Sequence, residues 1–198
     1  MTSDAPSAGA RSTYLIALLR PCEPGDVPQI TAIYAHAVRH GRASFELEPP
    51  DKAEMEQRRD ALVGAGYPYL VAELSGAVVG YAYAGAYRPR PAYSSTVESS
   101  VYVAAAHHGR GLGRLLLARL IDEAERRGFR QMVAVIGDSA NLASIRLHER
   151  LGFTHVGTLR SVGWKHERWL DTVLMQRALG IGDGAPPETP SRDGTFPW

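Results

Sequence analysis

The spacing of apolar residues along the chain predicts a mixture of helices and strands. Four stretches repeat apolar residues every three or four positions, as amphipathic helices do: residues 27–38, 51–63, 111–127 and 141–151. Seven shorter stretches are rich in β-branched and aromatic residues, which is typical of strands: residues 14–20, 69–74, 77–87, 96–103, 131–136, 154–159 and 168–177. The predicted order, βααβββαβαββ, meanders early and alternates late, which favours a single α/β domain with a mixed sheet over a Rossmann fold.

Cap and turn residues support these boundaries. Asp26 is placed to cap the first helix, and Asp51 followed by Glu54 resembles a capping box for the second. The pair Ser75-Gly76 separates two strand-like stretches and predicts a two-residue hairpin. Residues 161–167 are expected to form the connection between the last two strands.

Composition limits the function classes. The 198 residues carry 22 basic and 21 acidic side chains, a net charge of +1, which gives no electrostatic footprint for nucleic acid or an anionic membrane. No stretch approaches the roughly 20 apolar residues of a membrane span. The single cysteine, Cys22, excludes an internal disulfide and fits a reducing, cytoplasmic location. We expect a folded domain over residues 14–179, with a disordered tail at 1–13 and a flexible Gly/Pro-rich tail at 180–198.

A glycine-rich segment between a strand and a helix carries the main chemical signal. Gly109, Gly111 and Gly113 alternate across the start of the helix at 111–127, where backbone N–H groups and the helix N-terminus favour a pyrophosphate. A Walker loop needs Gly-Lys-Ser/Thr, whereas Arg114 follows Gly113 here. The dinucleotide fingerprint needs different glycine spacing and an acidic residue that the next strand lacks before Asp138. The neighbouring His107 and His108 have no acidic or cysteine partner at metal-binding spacing, so no metal is expected.

The wider segment resembles the acyl-CoA-binding motif of the GCN5-related N-acetyltransferases, or GNAT family. The pattern Gln/Arg-x-x-Gly-x-Gly/Ala matches residues 108–113, with His108 in place of the usual Gln or Arg. Residues 141–153 resemble the second signature of the family, and His148 stands where many members carry Tyr. The resemblance implies the family fold and acetyl-CoA as cosubstrate.

The match is closer to the phosphinothricin and methionine sulfoximine acetyltransferases. It covers roughly residues 19–177, and the matching segments are Phe45…Glu48-Pro49, 67–73, 83–85, 96–103, 133–137 and 162–165. This resemblance implies transfer of an acetyl group to the α-amino group of a small amino acid or analogue, directly within a ternary complex. It also implies a homodimer, because residues 164–165 resemble a segment that completes the neighbouring subunit's site.

The resemblance also implies roles for individual residues. Glu98 corresponds to the general base, His148 to the group that protonates the leaving thiolate, and the Val103 N–H to the oxyanion donor. The alternatives are a solvated strand carboxylate at Glu98 and a packed helix histidine at His148. The residues implied in acetyl-CoA binding are Val101, Tyr102, Val103, His108, Gly109, Arg110, Gly111, Leu112, Gly113, Arg114 and Asn141.

Candidate acceptor residues precede Glu98. Arg88, Arg90 and Tyr93 lie in a Pro-interrupted loop, and arginine binds carboxylates and phosphinates through paired donors. Phe45 resembles a substrate-lining aromatic, and Lys165 is a further candidate in the same pocket. A solvated basic loop is the alternative for the two arginines.

Two other functions stay open at this stage. The same fold could acetylate a peptide N-terminus, a polyamine or an aminoglycoside, although a basic loop suits a polycation poorly. A CoA-binding sensor without catalysis would keep the glycine-rich segment but would not need Glu98.

Overall fold

The computed structural model describes residues 17–187, and within them the chain forms one mixed sheet covered by helices on both faces. The helices are α1 (Val27–His40), α2 (Lys52–Gly64), α3 (Leu112–Arg126) and α4 (Leu142–Arg150). The strands are β1 (Leu18–Pro21), β2 (Tyr69–Leu74), β3 (Ala77–Ala86), β4 (Thr96–Val103), β5 (Gln131–Gly137), β6 (Thr154–Lys165) and β7 (Arg168–Ala178). The predicted order βααβββαβαββ is confirmed. Short 3-10 turns at Pro24–Asp26, Pro91–Tyr93 and Ala105–His107 were not expected from the sequence.

The sheet has the strand order β1-β2-β3-β4-β5-β7-β6. Neighbouring strands are antiparallel except β4 and β5, which run parallel and are joined by α3. A parallel pair requires such a crossover, so the helix that follows the glycine-rich segment is also the connection that creates the parallel pair. This pair lies in the middle of the sheet.

Two apolar clusters fill the two faces. On one face α3 buries Leu116, Leu117 and Leu120 against β2 to β5, with Met132 and Met175 fully buried beneath it. On the other face α1 and α2 cover a second cluster that contains the five tyrosines Tyr34, Tyr69, Tyr81, Tyr83 and Tyr102. The ring centroids of successive tyrosines lie 5.0–6.3 Å apart, within the range of favourable aromatic contacts.

Two predictions at helix starts had different outcomes. The Asp51 carboxylate accepts from the Glu54 N–H at 2.9 Å, as expected of a cap. The prediction for Asp26 was wrong, because its side chain makes no cap on α1. Its carboxylate instead accepts from the Arg20 guanidinium at 2.7 and 2.8 Å, and a charged partner competes well with a backbone donor.

The last hairpin is longer than predicted. Strand β6 continues through the segment expected to be a connection and ends at Lys165, with its register interrupted between Leu159 and Gly163. The turn is made by His166 and Glu167, both with positive φ. The Ser75-Gly76 hairpin is confirmed, again with positive φ at both residues.

The chain ends lie partly outside the described residues. The predicted tail at 1–13, the start of the first predicted strand, and residues 188–198 of the C-terminal tail belong to those parts. Residues 180–183 form turns, and the Arg130 guanidinium donates to the Pro186 carbonyl at 3.2 Å. The domain limits at 14 and 179 therefore stay predictions.

Candidate active site

Strands β4 and β5 separate halfway along their length. Their pairing ends at Ser99↔Ala134, although β4 continues to Val103 and β5 continues to Gly137. On its other edge β4 stays paired with β3 as far as Gly80↔Val103. The separation leaves a gap, the β4–β5 gap, in which main-chain groups of β4 have no strand partner.

The main chain of Val101 and Val103 faces this gap. The Ala104 N–H donates to the Val79 carbonyl of β3 at 2.8 Å. Because main-chain donors alternate sides along a strand, the N–H groups of Val101 and Val103 point away from β3. These two groups are thus available to a ligand that lies along β4.

The glycine-rich segment turns the chain from β4 into α3. Gly109 and Gly111 have φ of 74° and 80°, a region that other residues rarely adopt, and Gly111 is the N-cap of α3. An added Cβ on either residue would meet no atom within 4 Å, so the backbone conformation, not crowding, requires glycine. The His108 ring nitrogen donates to the Val103 carbonyl at 2.9 Å and ties the segment to β4.

A cavity of about 730 Å³ joins the β4–β5 gap to the glycine-rich segment and α4. Every residue predicted to bind acetyl-CoA except Arg110 lines it, and so does His148. The Asn141 side chain caps α4 by accepting from the Ser144 N–H at 3.2 Å, which leaves its amide donors free. A long ligand with a pyrophosphate fits this arrangement, because unpaired strand groups lead to a helix N-terminus.

A second cavity, of about 480 Å³, adjoins the first on the α1 side of the sheet. It adds the α1 residues His36 and His40, together with Asp138 after β5. Both cavities are lined by Ala43, Val101, Tyr102, Val103, His108 and Asn141. The end of β4 is therefore open from both faces of the sheet.

Glu98 lies on the α1/α2 face of β4, half-buried, and lines neither of the two cavities itself. Side chains alternate along a strand, so Glu98 shares its face with Ser100, which lines the first cavity. Burial raises the pKa of the Glu98 carboxyl above its ordinary value, and the positive charge of Arg88 opposes that rise. A carboxylate with a raised pKa, on the same strand face as a cavity-lining residue, is better suited to act as a general base than an ordinary one.

His148 is a buried histidine on α4 with a defined tautomer. Its Nδ1 lies 2.8 Å from the Ser144 carbonyl oxygen, which can only accept, so Nδ1 carries the proton. Its ring packs edge-on against Phe153 at 4.9 Å. Burial lowers the pKa of His148, although the hydrogen bond to Ser144 opposes the change. The neutral ring therefore leaves Nε2 as an acceptor.

The three candidates before Glu98 lie in one exposed loop. The Arg88 guanidinium lies over the Tyr87 ring, 4.5 Å from its centroid, and Tyr87 contacts Tyr93 edge-on at 5.8 Å. Arg90 starts the 3-10 turn that carries Tyr93, whose N–H donates to the Arg90 carbonyl at 2.9 Å. The structure thus groups Arg88 and Tyr93 through Tyr87, a residue that the sequence did not single out.

Phe45 and Lys165 lie where the segment between α1 and α2 packs against β6. A Cβ built on Gly163 would overlap the Phe45 ring, so the ring lies directly on the β6 main chain. The Lys165 side chain is 4% exposed, and its Nζ donates to the Ser44 carbonyl at 2.8 Å. Burial lowers the pKa of Lys165, and the charge of Glu46 opposes this. Lys165 thus holds the segment that carries Phe45, and it lines neither of the two cavities.

Sequence reasoning missed the polar residues beneath that segment. The Tyr34 hydroxyl lies 3.0 Å from both the Ser44 hydroxyl and the Glu46 carboxylate, and Arg58 pairs with Glu46 at 2.7 Å. One residue indicated that such a network exists: Tyr34 lies on the apolar face of a predicted helix, and a buried tyrosine hydroxyl requires a hydrogen-bond partner. The partners themselves could not be identified, because they lie in a loop without periodicity.

Two kinds of feature are absent from the part of the chain that the structure describes. No helix between residues 17 and 187 is long and apolar enough to cross a membrane. In the same part of the chain no group of three or more His, Cys, Asp or Glu side chains is arranged to hold a metal ion.

Comparison with known proteins identifies the family. Residues 30–153 match the acetyltransferase (GNAT) family. The chain is 51% identical, over 94% of its length and 95% of the relative's, to phosphinothricin N-acetyltransferase of Alcaligenes faecalis. It is 47% identical to the L-methionine sulfoximine/L-methionine sulfone acetyltransferase of Salmonella typhimurium, over 81% of this chain and 94% of that protein.

A solved structure gives the same answer. The phosphinothricin acetyltransferase of Sinorhizobium meliloti, in complex with acetyl-CoA, superposes with a TM-score of 0.84 at 45% identity. The match covers 91% of this chain and 96% of that one. Fold, cavity and sequence agree: the chain belongs to the GNAT family and is an acetyltransferase that uses acetyl-CoA.

Proposed function

We propose that the enzyme acetylates the α-amino group of phosphinothricin, methionine sulfoximine or methionine sulfone. The observation that carries the proposal is the 51% and 47% identity to enzymes named for these substrates, over most of both chains. These substrates are small amino acid analogues with a carboxylate, and the first also has an anionic phosphinate. The basic loop with Arg88 and Arg90 suits such anions, because guanidinium groups bind them through paired donors.

Glu98 acts as the general base, directly or through a water molecule. A free α-amino group has a pKa of about 8 or higher, so it is mostly protonated at neutral pH and must lose a proton before it attacks. The raised pKa of Glu98 supports this role, because a base works best when its pKa approaches the working pH. The amine nitrogen then attacks the thioester carbon, the C–S bond breaks, and CoA leaves as a thiolate.

The Val103 N–H stabilises the oxyanion that develops on the thioester oxygen. Its main chain faces the β4–β5 gap at the point where both cavities meet, which supports this assignment. Val101 pairs with the pantetheine arm, and the main chain of residues 108–114 holds the pyrophosphate. Asn141 donates its free amide hydrogens to the cofactor arm.

His148 is the second catalytic candidate. In its resting tautomer Nδ1–H is bound to Ser144, so Nε2 can protonate the thiolate only after it has itself gained a proton. We therefore assign His148 a shuttle role, in which Nε2 accepts the second proton, which the attacking nitrogen must lose to become an amide, and passes it to the leaving thiolate. No cysteine takes part, since Cys22 is buried in the cluster beneath α1 and its pKa is raised to about 11. Transfer is direct, within a ternary complex.

Acceptor recognition combines the basic loop with the Phe45 segment. Arg88, Arg90 and Tyr93 bind the anionic groups of the acceptor, and Phe45 lines its aliphatic part. Lys165 acts on the acceptor pocket indirectly. Its buried ammonium donates to the Ser44 carbonyl and so fixes the position of the adjacent Phe45.

We also propose a cytoplasmic homodimer. The edge strand β6 and its partner β7 expose a group of large apolar side chains that an isolated subunit would leave in water: Val156, Leu159, Val162, Trp164 and Trp169. Edge strands with exposed apolar side chains favour association with another chain. If a second subunit buried this surface, β6 would lie at the interface. The Phe45 ring, which packs on Gly163 of β6, would then lie close to that interface.

Release of CoA from acetyl-CoA tests the proposed function. The purified enzyme is incubated with phosphinothricin, methionine sulfoximine, methionine sulfone, common amino acids, spermidine and kanamycin, and CoA is measured with a thiol reagent. Release confined to the sulfoximine, sulfone and phosphinothricin wells supports the proposal. Release only with spermidine or kanamycin contradicts the substrate assignment, and bound acetyl-CoA without release in any well contradicts the catalytic assignment.

A further inference from the structure

Asp138 has a backbone conformation that is unusual for a residue with a side chain. It follows β5 directly, has a φ of 66° and is 8% exposed. Asp is among the few residues that adopt this left-handed region without a large penalty. Asp138 also lines the second cavity, and residues held in sparsely populated backbone conformations often cluster at functional sites.

The Asp138 backbone and one carboxylate oxygen organise the start of α4. Its N–H donates to the Asp171 carbonyl of β7, and its carbonyl accepts from the Asn141 N–H, both at 2.9 Å. Its Oδ1 accepts from the Ala140 N–H at 2.9 Å. These three contacts place Asn141, the N-cap of the helix that lines the larger cavity.

The other carboxylate oxygen faces the segment between α1 and α2. Asp138 Oδ2 pairs with Arg42 Nε at 3.0 Å, and the Arg42 side chain is 40% exposed. Residues 41–46, here called the acceptor loop, also press on the end of β5. A Cβ on Gly137 would overlap the carbonyl groups of Arg42 and Ala43. Ala43 lines both cavities, so the position of this loop shapes the space where they meet.

We propose that Asp138 is a positioning residue that fixes the acceptor loop to the start of α4 through its ion pair with Arg42. The inference rests on the proposed function, in which Phe45 of that loop lines the acceptor. The Asp138 carboxylate binds the start of α4, which lines the cofactor cavity, through Oδ1, and binds Arg42 of the acceptor loop through Oδ2. Loss of the ion pair alone frees the acceptor loop and leaves the start of α4 intact.

Two variants test this proposal. Each replaces one of the two charged side chains of the ion pair with an uncharged side chain. Asp138→Asn keeps the Oδ1 acceptor and a side chain that tolerates positive φ, and Arg42→Gln removes the other charge. We expect the acceptor KM to rise about fivefold in each variant, because a partly exposed ion pair contributes only a small free energy. The kcat and the acetyl-CoA Kd are expected to stay within about twofold of the wild-type values. The double variant is expected to match the single variants, and Arg42→Lys to recover part of the loss.

Matched controls and a substrate-independent measurement complete the test. Asp122→Asn on α3 and Arg39→Gln in the last turn of α1 change exposed side chains of the same types and are expected to behave as wild type.

Hydrogen exchange of the acceptor loop is expected to accelerate in Asp138→Asn and Arg42→Gln, while exchange over residues 142–150 stays at the wild-type rate. Wild-type exchange in the acceptor loop, or additive KM effects in the double variant, would overturn the proposal. If the wild-type enzyme acetylates none of the proposed acceptors, the proposed function fails, while the exchange experiment still decides the role of Asp138.

Discussion

Glu98 lies directly opposite Gly85 in the register of β3 and β4. Opposite residues of an antiparallel pair project to the same face, so the missing side chain at Gly85 leaves space beside the carboxylate. A Cβ added to Gly85 would approach Leu62 Cδ2 of α2 to 3.2 Å. The space next to the proposed base is thus bounded by α2 and kept open by a glycine.

Filling that space is expected to block the acceptor. Gly85→Val should reduce kcat/KM for the acceptor by about tenfold or more, since a misplaced substrate loses most of its orientation, and should leave the acetyl-CoA Kd unchanged. Steady-state kinetics with isothermal titration of acetyl-CoA measure the two effects. Gly25→Val, where no atom lies within 4 Å of the added Cβ, is the control. Equal kinetics in both variants would show that the space beside Glu98 is not used.

The second prediction concerns the contact between Phe45 and Gly163. Gly163→Ala would displace the Phe45 ring, because the new methyl group overlaps it. We expect a higher acceptor KM with little change in the acetyl-CoA Kd. Gly157→Ala is a matched control on the same strand, with no atom within 4 Å of the added Cβ. A KM equal to that of the control would remove Phe45 from the acceptor pocket.

The pH dependence of the reaction follows from the charges around Glu98. Its pKa is raised by burial, and the rate is expected to fall as the pH drops through that raised value, because the protonated carboxyl accepts no proton. Arg88 holds the pKa down, so Arg88→Gln should move this acidic limb to higher pH. The profile of kcat at saturating acceptor measures the shift, with Arg90→Gln as comparison. An acidic limb that stays in place in Arg88→Gln would contradict the assignment.

His148 makes a prediction about stability. Its folded-state pKa is lowered, so the folded protein binds a proton less readily than the unfolded chain does. The stabilisation is complete above the ordinary histidine pKa of about 6.5 and is lost as the pH falls towards the lowered folded value. His148→Phe keeps an aromatic ring against Phe153 but cannot titrate. Urea unfolding at several pH values between neutral and mildly acidic should show a smaller loss of stability in the variant, and equal losses would contradict a buried neutral imidazole.

The predictable part of this molecule is local. Strand β4 and the glycines that follow it were recognised because positive φ and a strand-to-helix turn leave a signature in consecutive residues. The bounds of β2 and β4 were predicted correctly for the same reason. The longer β6 was missed, because its second half alternates poorly and is held by pairing with β7.

The unpredictable part depends on contacts between distant segments. Lys165 and Ser44 are 121 positions apart in sequence, and nothing near either residue indicates their hydrogen bond. Even over a short separation the outcome was not local: Asp26 was expected to cap a helix, but its carboxylate pairs with Arg20 on β1, six positions earlier. The role of Asp138 likewise emerged only when the acceptor loop and β5 were seen together.

The most direct test of the account is the turnover of Glu98→Gln with phosphinothricin and acetyl-CoA, both saturating. The amide keeps the shape of the side chain but accepts no proton, so kcat at neutral pH is expected to fall by about 100-fold or more. The acetyl-CoA Kd should stay at the wild-type value, and Glu56→Gln on α2 should retain wild-type turnover. A wild-type kcat in Glu98→Gln would show that another group takes the proton from the amine.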